Sequence, residues 1–111
     1  MTDEELIGLY LARDQEAIAA TEAAYGPYCR AIIQRILGSG EDAEECVSDV
    51  WLRVWNAIPP QRPVHLKGWL GTVARNQAVS YCRARAREPV QAEAAALELA
   101  GLLAGGPEEA L

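Results

Sequence analysis

Two clusters of backbone breakers constrain this chain more than any other feature. The run "LGSGED" around Gly38 and Gly40 and the run "IPPQRPVH" from Ile58 to His65 cannot continue a helix. On either side of them, apolar residues recur at steps of three and four and do not alternate, which is the pattern of helices burying one stripe each. The fold class predicted is therefore all-α. With 111 residues, half of them hydrophobic, the chain can enclose one core and not two. A compact bundle of three to four helices over residues 1–88 is expected. Residues 89–111, "PVQAEAAALELAGLLAGGPEEAL", read as a linker or the opening of a C-terminal domain, with a further C-terminal helix permitted until Gly105, Gly106 and Pro107 interrupt it.

Local signals place the helices. Thr2 and Glu5 have the spacing of a capping box, and Leu6, Ile7, Leu9, Tyr10 and Leu11 make a short apolar helix ending near Ala12. Asp14 is suited to cap a second helix that carries Ala17, Ile18, Thr21 and Tyr25 on one side, with Pro27 either kinking it or opening a new segment through Leu37. The third helix, Glu41 to Ile58, starts with acids that favour the positive end of the helix dipole and stops at Pro59 and Pro60. Val47, Val50, Trp51, Val54 and Ile58 form its buried stripe, Asp42, Glu45, Asp49, Arg53 and Asn56 its polar face, and Trp55 its border. The fourth helix is predicted from Leu66 to Arg87. Its buried stripe is Leu66, Trp69, Leu70, Val73, Ala74, Ala78, Tyr81 and Cys82, and Thr72, Arg75, Asn76, Ser80, Arg83 and Arg87 lie outside.

Charge is segregated along the chain. The net charge is −6, yet from Trp51 to Arg87 there are seven bases and no acid, whereas residues 1–50 hold eleven acids and three bases. Basic residues late in a helix compensate its negative end, so Arg83, Arg85 and Arg87 need no ligand on that ground alone. Arg53, Arg62 and Lys67 are far from that end, and dipole compensation gives no reason to exclude acids over so long a stretch. The segregation points to a polyanion partner despite the acidic total.

Other chemistries have less behind them. Cys29, Cys46 and Cys82 are odd in number and outside any CxxC pattern, so neither a disulfide framework nor a zinc site is indicated. The acids of "EDAEE" sit where a helix start wants acids, with no second cluster to complete a metal site, so no metal and no cofactor is expected. His65 has no nucleophile or carboxylate beside it in sequence, and no glycine-rich phosphate loop or nucleophile elbow appears, so an enzyme is not expected. Trp51 and Trp69 read as core, while Trp55 is divided between packing and base stacking. There is no signal peptide and no apolar run approaching the ~18 residues of a membrane span, so a cytoplasmic protein without membrane contact is expected.

Taken in order, the acidic "EDAE" start at Glu41–Glu44, the aromatic helix from Trp51 to Trp55, the proline loop from Pro59 to Pro63 and the "WL...ARN...R" helix from Trp69 to Arg87 resemble a known arrangement. Over about residues 4–87 the chain is similar to region 2 of the extracytoplasmic-function sigma factors of bacterial RNA polymerase. The resemblance implies that the third helix docks on the clamp helices of the beta-prime subunit of core polymerase through Glu45, Ser48, Asp49, Arg53 and Asn56. The family often has Gln-Glu where this chain has Ser48 and Asp49. It further implies that the loop and fourth helix recognise and help open the promoter minus-ten element by holding the nontemplate strand with Arg62, His65, Lys67, Arg75, Asn76, Ser80 and Arg83. Arg85 and Arg87 would then serve flanking duplex phosphates. A cationic, acid-free track suits an unpaired strand, and amide or hydroxyl groups suit exposed base edges. Anti-sigma proteins commonly mask such factors, which admits one as a further partner. The alternative is a sigma-like helical interaction protein without promoter activity.

Overall fold

The breakers act as expected. The computed structural model describes residues 1–85, which form four helices and no strand: α1 Asp3–Leu11, α2 Glu16–Leu37, α3 Glu41–Ala57 and α4 Leu66–Arg85. Ala86 and Arg87, together with the expected linker or C-terminal helix over 89–111, lie outside the described residues. Thr2 and Glu5 do form a reciprocal capping box, each side chain bonding the other's backbone N–H at 3.2 and 3.0 Å. Gln15 is the N-cap of α2, and the Asp14 carboxylate just before it accepts from the Glu16 N–H at 2.9 Å. Pro27 neither splits nor ends α2, which runs through it as one helix, so no new segment opens there.

The end of α1 departs from the usual chemistry. The Asp14 N–H bonds the Leu9 carbonyl and the Arg13 N–H the Tyr10 carbonyl, a Schellman closure that requires a left-handed residue at its C′ position. That residue is Arg13, at φ 55°, where glycine is the common choice. A side chain there costs on the order of 1 kcal/mol, so contacts elsewhere must hold Arg13 in place.

α1 lies on α2 through two groups with full partners. Leu6 and Tyr10 are fully buried, and the Tyr10 hydroxyl donates to Thr21 Oγ1 at 2.7 Å, which in turn donates to the Ala17 carbonyl at 2.8 Å. Thr21 is thus a buried polar residue with its bonds made. At the other end of α1, the Tyr25 hydroxyl donates to Asp3 Oδ1 at 2.5 Å.

α3 and α4 run antiparallel across the proline loop, and α2 packs on both. Their shared core is Cys29, Ile33 and Ile36 from α2, Ala43, Cys46, Val50, Trp51 and Val54 from α3, and Leu66, Leu70, Ala74, Ala78 and Cys82 from α4. The predicted α4 stripe divides on closer view: Trp69, Val73 and Tyr81 are only half-buried, and Val79, absent from the expected stripe, is buried. Gly71 explains how near α4 comes to α2. A Cβ at Gly71 would lie 2.6 Å from the Tyr28 hydroxyl oxygen and 3.3 Å from two of its ring carbons, so any side chain there would force the phenol to shift.

Gly71→Ala is expected to lower stability to urea by about 1–2 kcal/mol through this overlap. In a Tyr28→Ala background the same change is expected to raise it by about 0.5–1 kcal/mol, the helix propensity difference. A Gly71→Ala variant as stable as the parent would show that the Tyr28 contact does not set the α2–α4 distance.

Candidate functional site

On α3, Glu45, Asp49, Leu52 and Asn56 recur at steps of four, three and four and so line one side, with Ser48 and Arg53 flanking them. All six are exposed. The five residues expected to face a protein partner are therefore brought together. Leu52, which the sequence analysis passed over, sits in their midst with 60 % of its surface exposed. Its signal was available: it is a large apolar residue on the polar side of an otherwise clean amphipathic pattern. An uncovered leucine ringed by polar groups is the usual composition of a docking patch.

The loop between α3 and α4 is anchored at both ends. Its Gln61 N–H bonds the Ala57 carbonyl at 2.8 Å, and Gln61 Oε1 accepts the Trp69 indole N–H at 3.0 Å. Between these anchors and α4, Arg62, Val64 and His65 stand in solvent, Val64 with 87 % of its surface exposed.

α4 does not carry all of its expected cations on one ridge. Asn76, Ser80 and Arg83 share an exposed side, with half-buried Thr72 and Arg75 beside them. Lys67 and Arg85 belong elsewhere. They fall in line with Gly71, Ala74 and Ala78, at steps of four, three, four and seven, which is the buried azimuth of the helix. Lys67 accordingly leans over the Tyr28 ring of α2, its Nζ 4.9 Å from the centroid. Arg85 is half-buried, with Nη1 enclosed and lacking a hydrogen-bond partner among the described residues. Counting four, three and four from Lys67 would have exposed this from sequence. Arg87 lies outside the described residues. Within α4, the Ser80 hydroxyl donates to the Asn76 carbonyl at 3.1 Å, which leaves its oxygen lone pairs outward.

Trp55 makes packing contacts on α1 and its turn. The Arg13 guanidinium carbon stands 3.7 Å from its ring centroid, and the Tyr10 ring approaches at 6.1 Å between centroids, tilted by 56°. A base cannot stack on the face that Arg13 covers. Trp51 is buried, its indole N–H without a hydrogen-bond partner among the described residues, and Trp69 packs half-buried against the core.

Electrostatics separate the two faces. The salt bridge from Arg30 Nη1 to Glu44 Oε1, 2.7 Å, joins α2 to α3 and uses no base of the acid-free stretch. Arg62, Lys67 and Arg83 are exposed. Where α3 and α4 meet, the Tyr81 hydroxyl donates to Asp49 Oδ2 at 2.6 Å. Partial burial, and then the adjacent Asp49 carboxylate, push the Tyr81 phenol above its ordinary range. Burial likewise raises the Cys29 thiol to about 11 and the Cys46 thiol to about 12, the latter with help from Asp49, so both stay protonated near neutrality. Among the described residues no group of three or more His, Cys, Asp or Glu side chains is placed to hold a metal, and no helix is long and apolar enough to cross a membrane.

The Tyr81–Asp49 bond makes a pH-dependent prediction. Because the folded phenol holds its proton above the ordinary value of 10.0, the bond contributes fully below that pH and its contribution is lost as pH rises through the folded value. Tyr81→Phe is expected to cost about 1 kcal/mol at neutral pH, given the partial exposure of the pair. The gap between the two proteins in urea titrations should shrink from about pH 10 upward, and a constant gap would rule the bond out as its source.

The family model for Sigma-70 region 2 matches residues 23–88. No curated protein and no solved structure gives a significant match. The matched span takes in α2 from residue 23 onward, all of α3, the proline loop and all of α4. The chain therefore belongs to the sigma-70 region 2 family, which is a family of transcription sigma-factor domains and not of enzymes.

Proposed function

We propose that this chain is the region 2 module of an extracytoplasmic-function sigma factor. It binds core RNA polymerase through the outer face of α3, and it recognises and helps open the promoter minus-ten element by holding the nontemplate strand along the α3–α4 loop and the outer side of α4. One observation carries this reading: beyond α3 the acid-free stretch continues through one loop and α4, which expose Arg62, His65, Asn76, Ser80 and Arg83, beside an α3 face whose exposed residues are mainly acids and polar groups around Leu52. In this reading Leu52 joins Glu45, Ser48, Asp49, Arg53 and Asn56 against the beta-prime clamp helices. Arg75 remains beside the strand. Lys67 and Arg85 act at the margins of the track, Lys67 from its seat on Tyr28. The module comprises residues 1–88, and it works in the cytoplasm, where an anti-sigma protein is a further candidate partner.

Energetics define what the module does alone. Opening ~10 base pairs at ~1.4 kcal/mol per stacked step costs on the order of 14 kcal/mol. Capturing two flipped bases returns roughly 2–6 kcal/mol. Polymerase must supply the difference. The isolated protein is expected to leave duplex promoter DNA closed at moderate salt, as read by permanganate reactivity of thymines. Stable opening by the free protein would contradict the division of labour.

Two sets of variants separate the surfaces. Leu52→Asp should weaken retention of core polymerase by at least about tenfold, the worth of one buried leucine. Arg62→Glu and Arg83→Glu should keep polymerase binding and lose transcription from a cognate promoter. Each should lower the slope of log affinity against log salt for single-stranded DNA by about one. If these two charge reversals leave both DNA binding and transcription intact, the chain is the interaction protein without promoter activity.

A further inference from the structure

The C-terminal end of α3 has a deficit of donors that Arg13, from the end of α1, meets in part. A helix leaves its last carbonyls without intrahelical partners, and the next main-chain N–H groups normally help cover them. Here the residue four beyond Trp55 is Pro59, and four beyond Asn56 is Pro60, neither of which has an N–H. The Ile58 N–H reaches the Val54 carbonyl at 3.1 Å and the Gln61 N–H reaches that of Ala57 at 2.8 Å. Arg13 covers the Trp55 carbonyl and that of Ile58 just beyond the helix. Its Nη1 donates to the Trp55 carbonyl at 3.0 Å and to the Ile58 carbonyl at 2.8 Å, while the guanidinium lies over the Trp55 ring. A cation at the negative end of the dipole is favourable there as well. These contacts account for an arginine in the left-handed position that otherwise suits glycine. Arg13 precedes the matched family span, which begins at residue 23.

We infer that Arg13 is a positioning residue for the loop from Pro59 to His65, acting from α1 through the last carbonyls of α3 to fix the direction in which Arg62, Val64 and His65 leave the bundle. The inference rests on the proposed role of that loop in holding a single strand. Arg13 itself does not contact the strand in this scheme, because its guanidinium is committed to Trp55 and Ile58. The N-terminal helix is then more than an appendage: Tyr10 and Arg13 both press on Trp55, and so brace the loop from one side.

Arg13→Gly is the informative variant, because glycine keeps the left-handed turn without strain while removing the guanidinium. Hydrogen exchange on the intact chain is expected to show the hydrogen-bonded amides of Ile58 and Gln61, which tie the loop to α3, exchanging about tenfold faster, with α2 and α4 core amides unchanged. With the chain assembled on core polymerase and fluorescein-labelled 20-nucleotide single strands of randomised sequence as probe, affinity should fall about threefold with the log-salt slope unchanged. Trp55→Leu, which removes the platform and keeps the arginine, should reproduce the loop exchange. Unchanged loop exchange in Arg13→Gly overturns the inference. So does a slope reduced by about one, since Arg13 would then be a phosphate contact in its own right. If the parent complex binds no single strand, the strand-binding proposal fails, and the exchange measurement still decides whether Arg13 orients the loop.

Discussion

The arrangement depends on how narrow the buried side of α4 is. Gly71, Ala74 and Ala78 line the azimuth that faces α2 and α3, and the Tyr28 phenol lies on the open backbone of Gly71. Small residues let the helix come near enough for Leu66, Leu70 and Cys82 to complete the core. The apolar side of α4 can therefore be thin. A thin buried side leaves the opposite circumference of a 20-residue helix free to carry Asn76, Ser80 and Arg83 without any being required for packing.

From that approach the relation between the two faces follows. α3 and α4 run antiparallel over a loop closed by the Gln61–Trp69 and Gln61–Ala57 bonds, and the Tyr81–Asp49 bond joins them near the other end. The acidic and amide side of α3 and the cationic side of α4 are thereby held as parts of one rigid hairpin. A partner on α3 and a nucleic-acid strand on α4 would meet surfaces whose spacing is built in. The prolines that end α3 cleanly also strip its last turn of donors, and α1 with its Arg13 turn compensates from outside the hairpin.

Much of this was legible in the residue order because it rests on local chemistry. The capping box at Thr2 and Glu5, the breakers at Gly38 to Gly40 and at Pro59 to Pro60, and the acids opening α3 all act within one or two helical turns. The exposed side of α3 was also readable, since its period is strict. The cations of α4 do not share one side: the resemblance groups Lys67 and Arg85 with Arg83 as DNA contacts, whereas their register aligns them with Gly71 and Ala78. Leu52 escaped notice because attention to charge passes over a leucine among polar neighbours.

By itself the sequence determined three to four amphipathic helices, the breakers between them, and an acid-free stretch running from the second half of α3 through the loop into the last helix, because caps, breakers and the 3.6-residue period are short-range. Only the tertiary structure decided which aromatic groups are occupied, and by what. Arg13 on Trp55 and Ile58 spans 42 and 45 residues of chain, Tyr81 on Asp49 spans 32, and Tyr28 on Gly71 joins two different helices. Such pairs depend on where helices cross, which is set by the shape of the packed core and not by the order of residues along any one of them.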